Sequence, residues 1–172
     1  MKKKFHFSVW LLLLCTVLSV SLSGCGGGGE SGAATPETHA GYAFRYNGTD
    51  VYVDMDVSKV LPGLGEYEDY FESTSCAFDG KDKQYLYAHF TIYTYPDGDV
   101  DRILRIVLKD DMVETPEGIT IGTDAQTVTE KLGSDYTEKA GSLVYEKNGG
   151  KLEILIDDGS VLSVQYVSAS AL

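Results

Sequence analysis

The sequence predicts an α+β fold of two tandem units, each a short helix followed by a three-stranded antiparallel meander, packed as one body. The first observation is an internal repeat, because residues 51–65 align without a gap on residues 119–133. Four of the fifteen aligned positions are identical, and the apolar positions are kept. The second observation is a series of short alternating apolar segments separated by turn residues, which is typical of antiparallel sheet.

Each copy of the repeat predicts a strand followed by a helix. Asp56 and Asp124 stand where a side-chain oxygen can accept hydrogen bonds from the free amides of a first helical turn. Gly65 and Gly133 stand where a positive φ ends such a helix. Pro62 near the end of the first copy predicts a helix of only a few turns. The apolar residues at helical spacing are Val57, Val60 and Leu64 in the first copy and Ala125, Val128 and Leu132 in the second.

Strands are expected after each helix. The first unit is placed at 41–114 and the second at 115–172, with Thr115-Pro-Glu-Gly118 at the junction. Asn47-Gly48 predicts a hairpin turn before the first helix, because this dipeptide favours positive φ angles. The predicted strands are residues 75–78, 84–95 and 101–109 in the first unit and 143–146, 152–156 and 161–167 in the second.

The first 24 residues predict an export signal. Three lysines near the start precede an apolar run from Val9 to Val20, which is shorter than the roughly 20 residues that a membrane-spanning helix needs. The segment Leu22-Ser23-Gly24-Cys25 resembles the lipobox of bacterial lipoproteins. This resemblance implies that Cys25 is joined to a diacylglycerol, that residues 1–24 are removed, and that the protein is anchored to the cell membrane, facing the extracytoplasmic side. Residues 25–40 are rich in Gly, Ser, Thr and Pro and predict a flexible tether.

Charge and cysteine content narrow the class of protein. Removal of residues 1–24, which contain three lysines and no acidic residue, changes the net charge from −12 to −15. A strongly acidic chain argues against nucleic acid as a partner. If Cys25 carries lipid, Cys76 has no cysteine partner in the mature chain. The fold is therefore expected to depend on its hydrophobic core and not on disulfides.

The repeat resembles a known unit. The order Ile-x-Ile-Gly, short helix, Leu-Gly and three strands, best seen in Ile119–Gly133, looks like the repeat of the β-lactamase-inhibitor-protein-like fold and of SmpA/OmlA-type envelope lipoproteins. The stretches Ser75-Cys-Ala-Phe-Asp-Gly80 and Thr115-Pro-Glu-Gly-Ile119 also resemble small uncharacterised lipoproteins of clostridia. The resemblance to the β-lactamase inhibitor implies an inhibitory protein-binding role, whereas the resemblance to the clostridial lipoproteins implies no activity. The β-lactamase inhibitor braces each unit with a disulfide, which this chain lacks.

The segment Tyr85–Tyr95 is the candidate binding surface. Taken as one strand, it places Leu86, Ala88, Phe90 and Ile92 on a core face, and tyrosines on the other. Tyrosine is enriched at recognition surfaces because it offers a large rigid contact area with a polar tip. The alternative is that tyrosines merely suit a half-exposed strand. The candidate partner-binding residues are Tyr85, Tyr87, His89, Tyr93, Tyr95 and Arg105.

Other functions have weaker support in the sequence. Asp97-Gly-Asp99-Val-Asp101 resembles the start of a calcium loop, but Arg102 and Leu108 occupy the positions that need Gly and Glu, so a hairpin turn is favoured. Motifs for nucleophilic, zinc or phosphate chemistry are absent from the sequence, and His89 is expected mid-strand without an acidic partner. We therefore expect no cofactor, no metal and no catalysis, with an envelope or extracellular protein as partner. A small-ligand or calcium-binding lipoprotein is the alternative, followed by a carboxylate-based hydrolase.

Overall fold

The computed structural model describes residues 41–170, and this part of the chain is mostly β. The predicted leader, the lipidation site Cys25 and the tether up to residue 40 lie outside the described residues. The elements are β1 (Phe44–Tyr46), β2 (Thr49–Val51), α1 (Val57–Leu64), β3 (Asp69–Thr74), β4 (Lys81–Leu86), β5 (Phe90–Asp97), β6 (Val100–Leu108), α2 (Ala125–Leu132), β7 (Thr137–Lys139), β8 (Ser142–Lys147), β9 (Gly150–Asp157) and β10 (Ser160–Ser168).

Eight of the strands form one antiparallel sheet in the order β3-β4-β5-β6-β10-β9-β8-β7. Strands β1 and β2 form a separate hairpin, whose turn is the predicted Asn47-Gly48, both at positive φ. The same pattern of a non-glycine residue followed by glycine, both at positive φ, forms the turns β7–β8, β8–β9 and β9–β10. These turns reverse the chain within two residues, so consecutive strands are neighbours in the sheet.

The predicted fold class was wrong. The structure does not contain two tandem units of a helix and a three-stranded meander, because four strands follow each helix and β6 pairs directly with β10. The edge strands β3 and β7 were missed, since their mostly polar and exposed residues lack the alternation that marks a strand. Residues 75–78, predicted as a strand, belong instead to the connection between β3 and β4.

Both predicted helices are confirmed, with one difference at their caps. The Asp56 carboxylate accepts a hydrogen bond from the Ser58 amide at 3.0 Å, as an N-cap should. Asp124 occupies the same position before α2 but makes no such side-chain bond. Gly65 and Gly133 end the helices at φ values of 86° and 84°, and their ψ values near 180° turn the chain into an extended path.

One face of the eight-stranded sheet carries the hydrophobic core. A row of directly opposed residues runs across seven strands on this face, and all but its first member are buried. The row is Tyr70, Tyr85, Ile92, Ile106, Tyr166, Leu152 and Tyr145. Val57, Val60 and Leu64 of α1 and Val128 of α2 pack in the same cluster, so both helices cover this face.

The two halves of the sheet meet at β6 and β10, which share only three residue pairs. Beyond these pairs, the segment before α1 forms hydrogen bonds with β6, from the Asp54 amide to Ile103 O at 2.7 Å and from the Ile103 amide to Met55 O at 2.9 Å. The segment before α2 forms the same pair of bonds with β10, through Gly122 and Val161. The aligned segments therefore take equivalent places beside the sheet.

Asp54 holds this junction together. It aligns with Gly122, and both residues have positive φ, 65° and 88°, although only glycine adopts such angles without strain. The Asp54 carboxylate accepts hydrogen bonds from the Tyr95 hydroxyl at 2.9 Å and the Ser168 hydroxyl at 2.6 Å. Its carbonyl accepts a bond from Arg102 Nη1 at 2.9 Å. The carboxylate thus links β5 and the end of β10 to the segment before α1.

We predict that replacement of Asp54 by alanine destabilises the protein more than replacement by glycine. Both replacements lose the carboxylate bonds, at about 1.5–3 kcal/mol. Alanine keeps the strain of a side chain at positive φ, whereas glycine relieves about 1–2 kcal/mol of it. Urea denaturation of a chain that begins at Gly26 measures both, since the core residues lie between Phe44 and Tyr166.

Gly122→Ala is the matched control for backbone strain, because a Cβ at Gly122 meets no atom within 4 Å. It should cost only the conformational part, about 1–2 kcal/mol. The difference between Asp54→Ala and Asp54→Gly should match this cost. If Asp54→Ala were as stable as the wild type, the carboxylate bonds would contribute nothing to stability.

Candidate functional site

The segment Tyr85–Tyr95 is not one strand, contrary to the prediction. Strand β4 ends at Leu86 and β5 begins at Phe90, and the turn between them is closed by a hydrogen bond from the Tyr87 amide to Phe90 O at 2.9 Å. The strand alternation restarts after the turn, so the predicted division into two faces was wrong. Phe90 and Ile92 belong to the core, whereas Leu86 lies half-buried on the other face.

Tyr85 and Tyr87 lie in the core and not on a binding surface. Their side chains are only 8% and 3% exposed. The Tyr67 ring packs against both rings, with centroids 5.4 and 6.3 Å away, and Tyr87 stacks on Phe90 at 4.4 Å. Burial raises the pKa of Tyr87 to about 12. A partner therefore cannot contact these two tyrosines without displacing Tyr67 or opening the core.

Tyr95 is also buried, although it lies on the opposite face of the sheet. Its ring packs against Phe78, from the connection before β4, at a centroid distance of 4.9 Å. Burial, together with the hydrogen bond to Asp54, raises the pKa of Tyr95 to about 12. Tyr95 therefore acts as a structural contact between this connection, β5 and the segment before α1.

His89 lies in the turn between β4 and β5 and has an acidic partner, contrary to the prediction. Its Nδ1 lies 2.8 Å from Asp110 Oδ2, and this hydrogen bond lowers the pKa of the Asp110 carboxyl. Within residues 41–170, no serine, threonine or cysteine side chain is hydrogen-bonded to His89. The arrangement has the base and orienting acid of a catalytic group, but not the nucleophile that such a group needs.

Tyr93 and Arg105 form a pair, although the sequence pattern placed only Tyr93 on a face of its strand. They are directly opposed on β5 and β6, on the face away from the helices, and the Arg105 guanidinium lies over the Tyr93 ring at 4.4 Å from its centroid. Arg105 Nε is closed to solvent and has no hydrogen-bond partner. An unsatisfied buried donor costs about 1–3 kcal/mol, so the isolated protein carries a hydrogen-bond donor, Arg105 Nε, for which the described residues offer no acceptor.

We call the sheet face opposite the helices the open face. Two rows of directly opposed residues cross its centre, and neither contains an acidic residue on β4, β5, β6 or β10. The first of these rows is Gln84, Tyr93, Arg105 and Val167, and the second is Leu86, Thr91, Val107 and Gln165. The centre of the open face therefore differs in charge from the chain as a whole, which has 26 acidic and 14 basic residues.

An exposed aromatic residue extends the first row to the edge of the sheet. Phe71 on β3 is opposite Gln84 and is 53% exposed. Sequence reasoning missed Phe71, because its strand was not recognised, and it assigned Leu86 to the core. We define the central patch as the exposed or half-buried members of this surface on β3 to β6, namely Phe71, Gln84, Leu86, Tyr93, Arg105 and Val107.

The acidic turn proposed as an alternative calcium site is occupied by internal ion pairs. Asp97 accepts from Arg102 Nε at 2.5 Å, and Asp101 accepts from Lys83 Nζ at 2.6 Å. The predicted hairpin turn is confirmed, since β5 ends at Asp97 and β6 begins at Val100. Within residues 41–170, no group of three or more His, Cys, Asp or Glu side chains is placed to hold a metal ion.

A shallow pocket lies at the β7–β8 edge of the sheet. Its volume is about 230 Å³, and its lining includes Asp135, Tyr136 and Glu146. Small-molecule sites usually have volumes of about 300–1,000 Å³ and mostly apolar walls. The pocket is smaller and more polar than that, so it supports a small-ligand function less well than the open face supports protein binding.

In the part of the chain that the structure describes, neither helix is long and apolar enough to cross a bilayer.

No family model and no curated protein matches the chain. A cysteine-rich secretory protein from Staphylococcus aureus is similar in structure, with 12% sequence identity and a TM-score of 0.39. The match covers 69% of this chain and 45% of that protein, so the chain spans less than half the length of its structural neighbour.

We predict that the tyrosines ionise in separable groups. Tyr87 and Tyr95 have pKa values raised from 10 to about 12, so the folded state favours their neutral forms. The stability that they contribute is fully present below pH 10 and is lost as the pH rises towards 12. Absorbance at 295 nm during alkaline titration should show a late group of tyrosines, and Tyr95→Phe should make that group smaller. A single transition of all twelve near pH 10 would contradict the burial described here.

Proposed function

We propose that this protein is a lipid-anchored, non-catalytic binding module on the extracytoplasmic side of the bacterial cell membrane, and that it binds a protein partner through the open face of its sheet. The observation that carries the proposal is the central patch, whose six members include an exposed phenylalanine, a stacked tyrosine–arginine pair and no acid, on an otherwise acidic protein. Asp69 on β3, opposite Leu86, borders the patch. Aromatic residues and arginine are enriched in protein interfaces, whereas aspartate and glutamate are depleted.

The shape of the surface supports a macromolecular partner. The patch spans strands β3 to β6 of a continuous sheet, and adjacent strands lie about 4.8 Å apart, so it presents a broad face and not a cavity. Its backbone is fixed by hydrogen bonds to neighbouring strands on both sides of β4, β5 and β6. A rigid surface loses little conformational entropy on binding.

The anchor is supported by the sequence of the leader. The basic start, the apolar run and the Leu-Ser-Gly-Cys segment occur in the order of a lipoprotein signal, and the segment that follows has the composition of a flexible linker. A diacylated cysteine holds a protein stably at a membrane, because two chains contribute about 0.8 kcal/mol per buried methylene. The sheet would then be presented to envelope or extracellular proteins.

We expect replacement of Cys25 by serine to abolish anchoring. In cells grown with a labelled fatty acid, the wild-type protein should carry label and lack residues 1–24, and it should sediment with membranes. Cys76→Ser is the matched control, because it removes the exposed thiol of the folded part and should leave labelling unchanged. An unlabelled wild-type protein that keeps its first 24 residues would refute the anchor.

Binding through the central patch is tested by comparing serine substitutions in the patch with a serine substitution of an exposed apolar residue elsewhere. The chain from Gly26 is immobilised and exposed to an envelope extract, and bound proteins are quantified by mass spectrometry. Phe71→Ser with Tyr93→Ser should lower the affinity for a specific partner about 30-fold or more, because a buried aromatic anchor contributes about 2 kcal/mol or more at a hot spot. The proposal fails if the captured proteins are the same for this variant and for the wild type.

Met112→Ser provides the control. Met112 is 70% exposed and does not belong to the open face rows, so its replacement removes exposed apolar surface elsewhere. Proteins that bind nonspecifically through apolar contacts should respond to both variants, whereas a specific partner should be lost only from the patch variant.

A further inference from the structure

The three arginines of the chain differ in their partners. Arg45 is paired with Asp50 through Nε at 2.5 Å, and Arg102 is paired with Asp97 at the same distance. Arg105 has no carboxylate partner among the described residues, although acids outnumber bases in the chain 26 to 14. An arginine at the centre of a sheet in so acidic a protein would find a carboxylate easily if internal pairing were its role.

The neighbours of Arg105 hold it in place without neutralising it. Tyr93 lies beneath the guanidinium, and Val167 is directly opposite on the other side. The cross-strand row then continues to Lys151 on β9 and to Glu146 on β8. Glu146 is the first acid in this row beyond Arg105, and its strand is three strands from β6. At about 4.8 Å per strand, Glu146 is roughly 14 Å from Arg105 across the sheet. Glu153 on β9, opposite Gln165 in the next row, is two strands or roughly 10 Å away across the sheet, and neither acid is paired with Arg105.

The accessible part of the guanidinium has the geometry of a carboxylate receptor. Nε is closed to solvent, whereas the terminal nitrogens Nη1 and Nη2 are not shut off in this way. Two parallel N–H donors match the two oxygens of a carboxylate, and this bidentate pairing is stronger and more directional than a neutral hydrogen bond. Stacking on Tyr93 fixes the plane of the fork before a ligand arrives.

We propose that Arg105, positioned by Tyr93, is a carboxylate-binding site, and that the protein partner of the open face presents an aspartate or glutamate side chain to it. The proposal rests on the proposed function and names the chemistry of its partner. The apolar members of the central patch, Phe71, Leu86 and Val107, then contact apolar residues that flank the partner's acid.

The test uses a small peptide and does not require the natural partner. The probe is acetyl-Leu-Glu-Leu-amide, and the matched uncharged peptide is acetyl-Leu-Gln-Leu-amide. The readout is the Nε–Hε resonance of each arginine in ¹⁵N-labelled protein from Gly26 onward. Three such resonances are expected, assigned by comparison with Arg45→Gln and Arg105→Gln. Because Arg105 Nε is closed to solvent, its proton should exchange slowly enough to be observed.

We expect the glutamate peptide to shift the Arg105 resonance in a saturable way, with an affinity that weakens as salt is added. The resonances of Arg45 and Arg102 should stay unchanged, because both are already paired. Tyr93→Leu, which keeps an apolar side chain but removes the aromatic face, should weaken binding about threefold. Equal shifts with the glutamine peptide, equal responses of all three arginines, or no shift of Arg105 would each overturn the proposal.

Failure of this inference is distinguishable from failure of the proposed function. If the patch variant Phe71→Ser/Tyr93→Ser loses a specific partner while the glutamate peptide leaves Arg105 unchanged, the open face binds protein without a carboxylate and the inference is wrong. If the peptide binds Arg105 but captured proteins do not depend on the patch, the carboxylate site stands and the proposed protein-binding role falls.

Discussion

The pairing of β6 with β10 is the interaction on which the rest of the structure depends. Only three residue pairs join the two strands, yet they unite eight strands in one sheet. On the helix side, the pair of Ile106 and Tyr166 makes the two sets of core residues continuous. On the open face, the pair of Arg105 and Val167 does the same for the surface. A domain of this size cannot leave such a junction open, because each half would expose an apolar strand edge.

The short junction explains the unusual residue beside it. Beyond the three pairs, β6 is bonded to the segment around Asp54 and not to β10. The chain must turn at positive φ to enter this position, as it does at Gly122 in the aligned segment. An aspartate at this position is strained, but its carboxylate accepts hydrogen bonds from the Tyr95 and Ser168 hydroxyls. These bonds tie the end of β10 to the other half of the sheet. The strained backbone of Asp54 and the hydrogen bonds of its side chain therefore both serve to bridge β6 and β10 where the two strands no longer pair.

Local features of the fold were predictable from sequence, and long-range ones were not. The helices, the cap at Asp56 and the Asn47-Gly48 turn follow from residues within a few positions of one another, so their physical causes can be read from the chain. The turn at Tyr87–His89 lacks the usual Gly, Pro or Asn, and its absence from the prediction placed Tyr85 and Tyr87 on the wrong face. The β6–β10 pairing joins residues about 60 positions apart, and no local pattern specifies it. Of the candidate tyrosines, Tyr93 and Tyr95 lie on the face away from the core, but only Tyr93 is accessible there, and no local pattern paired it with Arg105.

The distribution of charge determines how the open face acts on a partner. A net charge of −12 makes this protein repel other acidic proteins at long range, and a single arginine does not reverse that field. Arg105 therefore contributes little to the approach of a partner. Its effect arises after contact, when the surface is dehydrated and a cation without a counterion becomes costly. A partner that buries Arg105 without offering a carboxylate is rejected by that cost, whereas one with an acid in register satisfies it. The arginine on this face consequently selects among partners more than it attracts them, which is the role that a buried charge fulfils best in an interface.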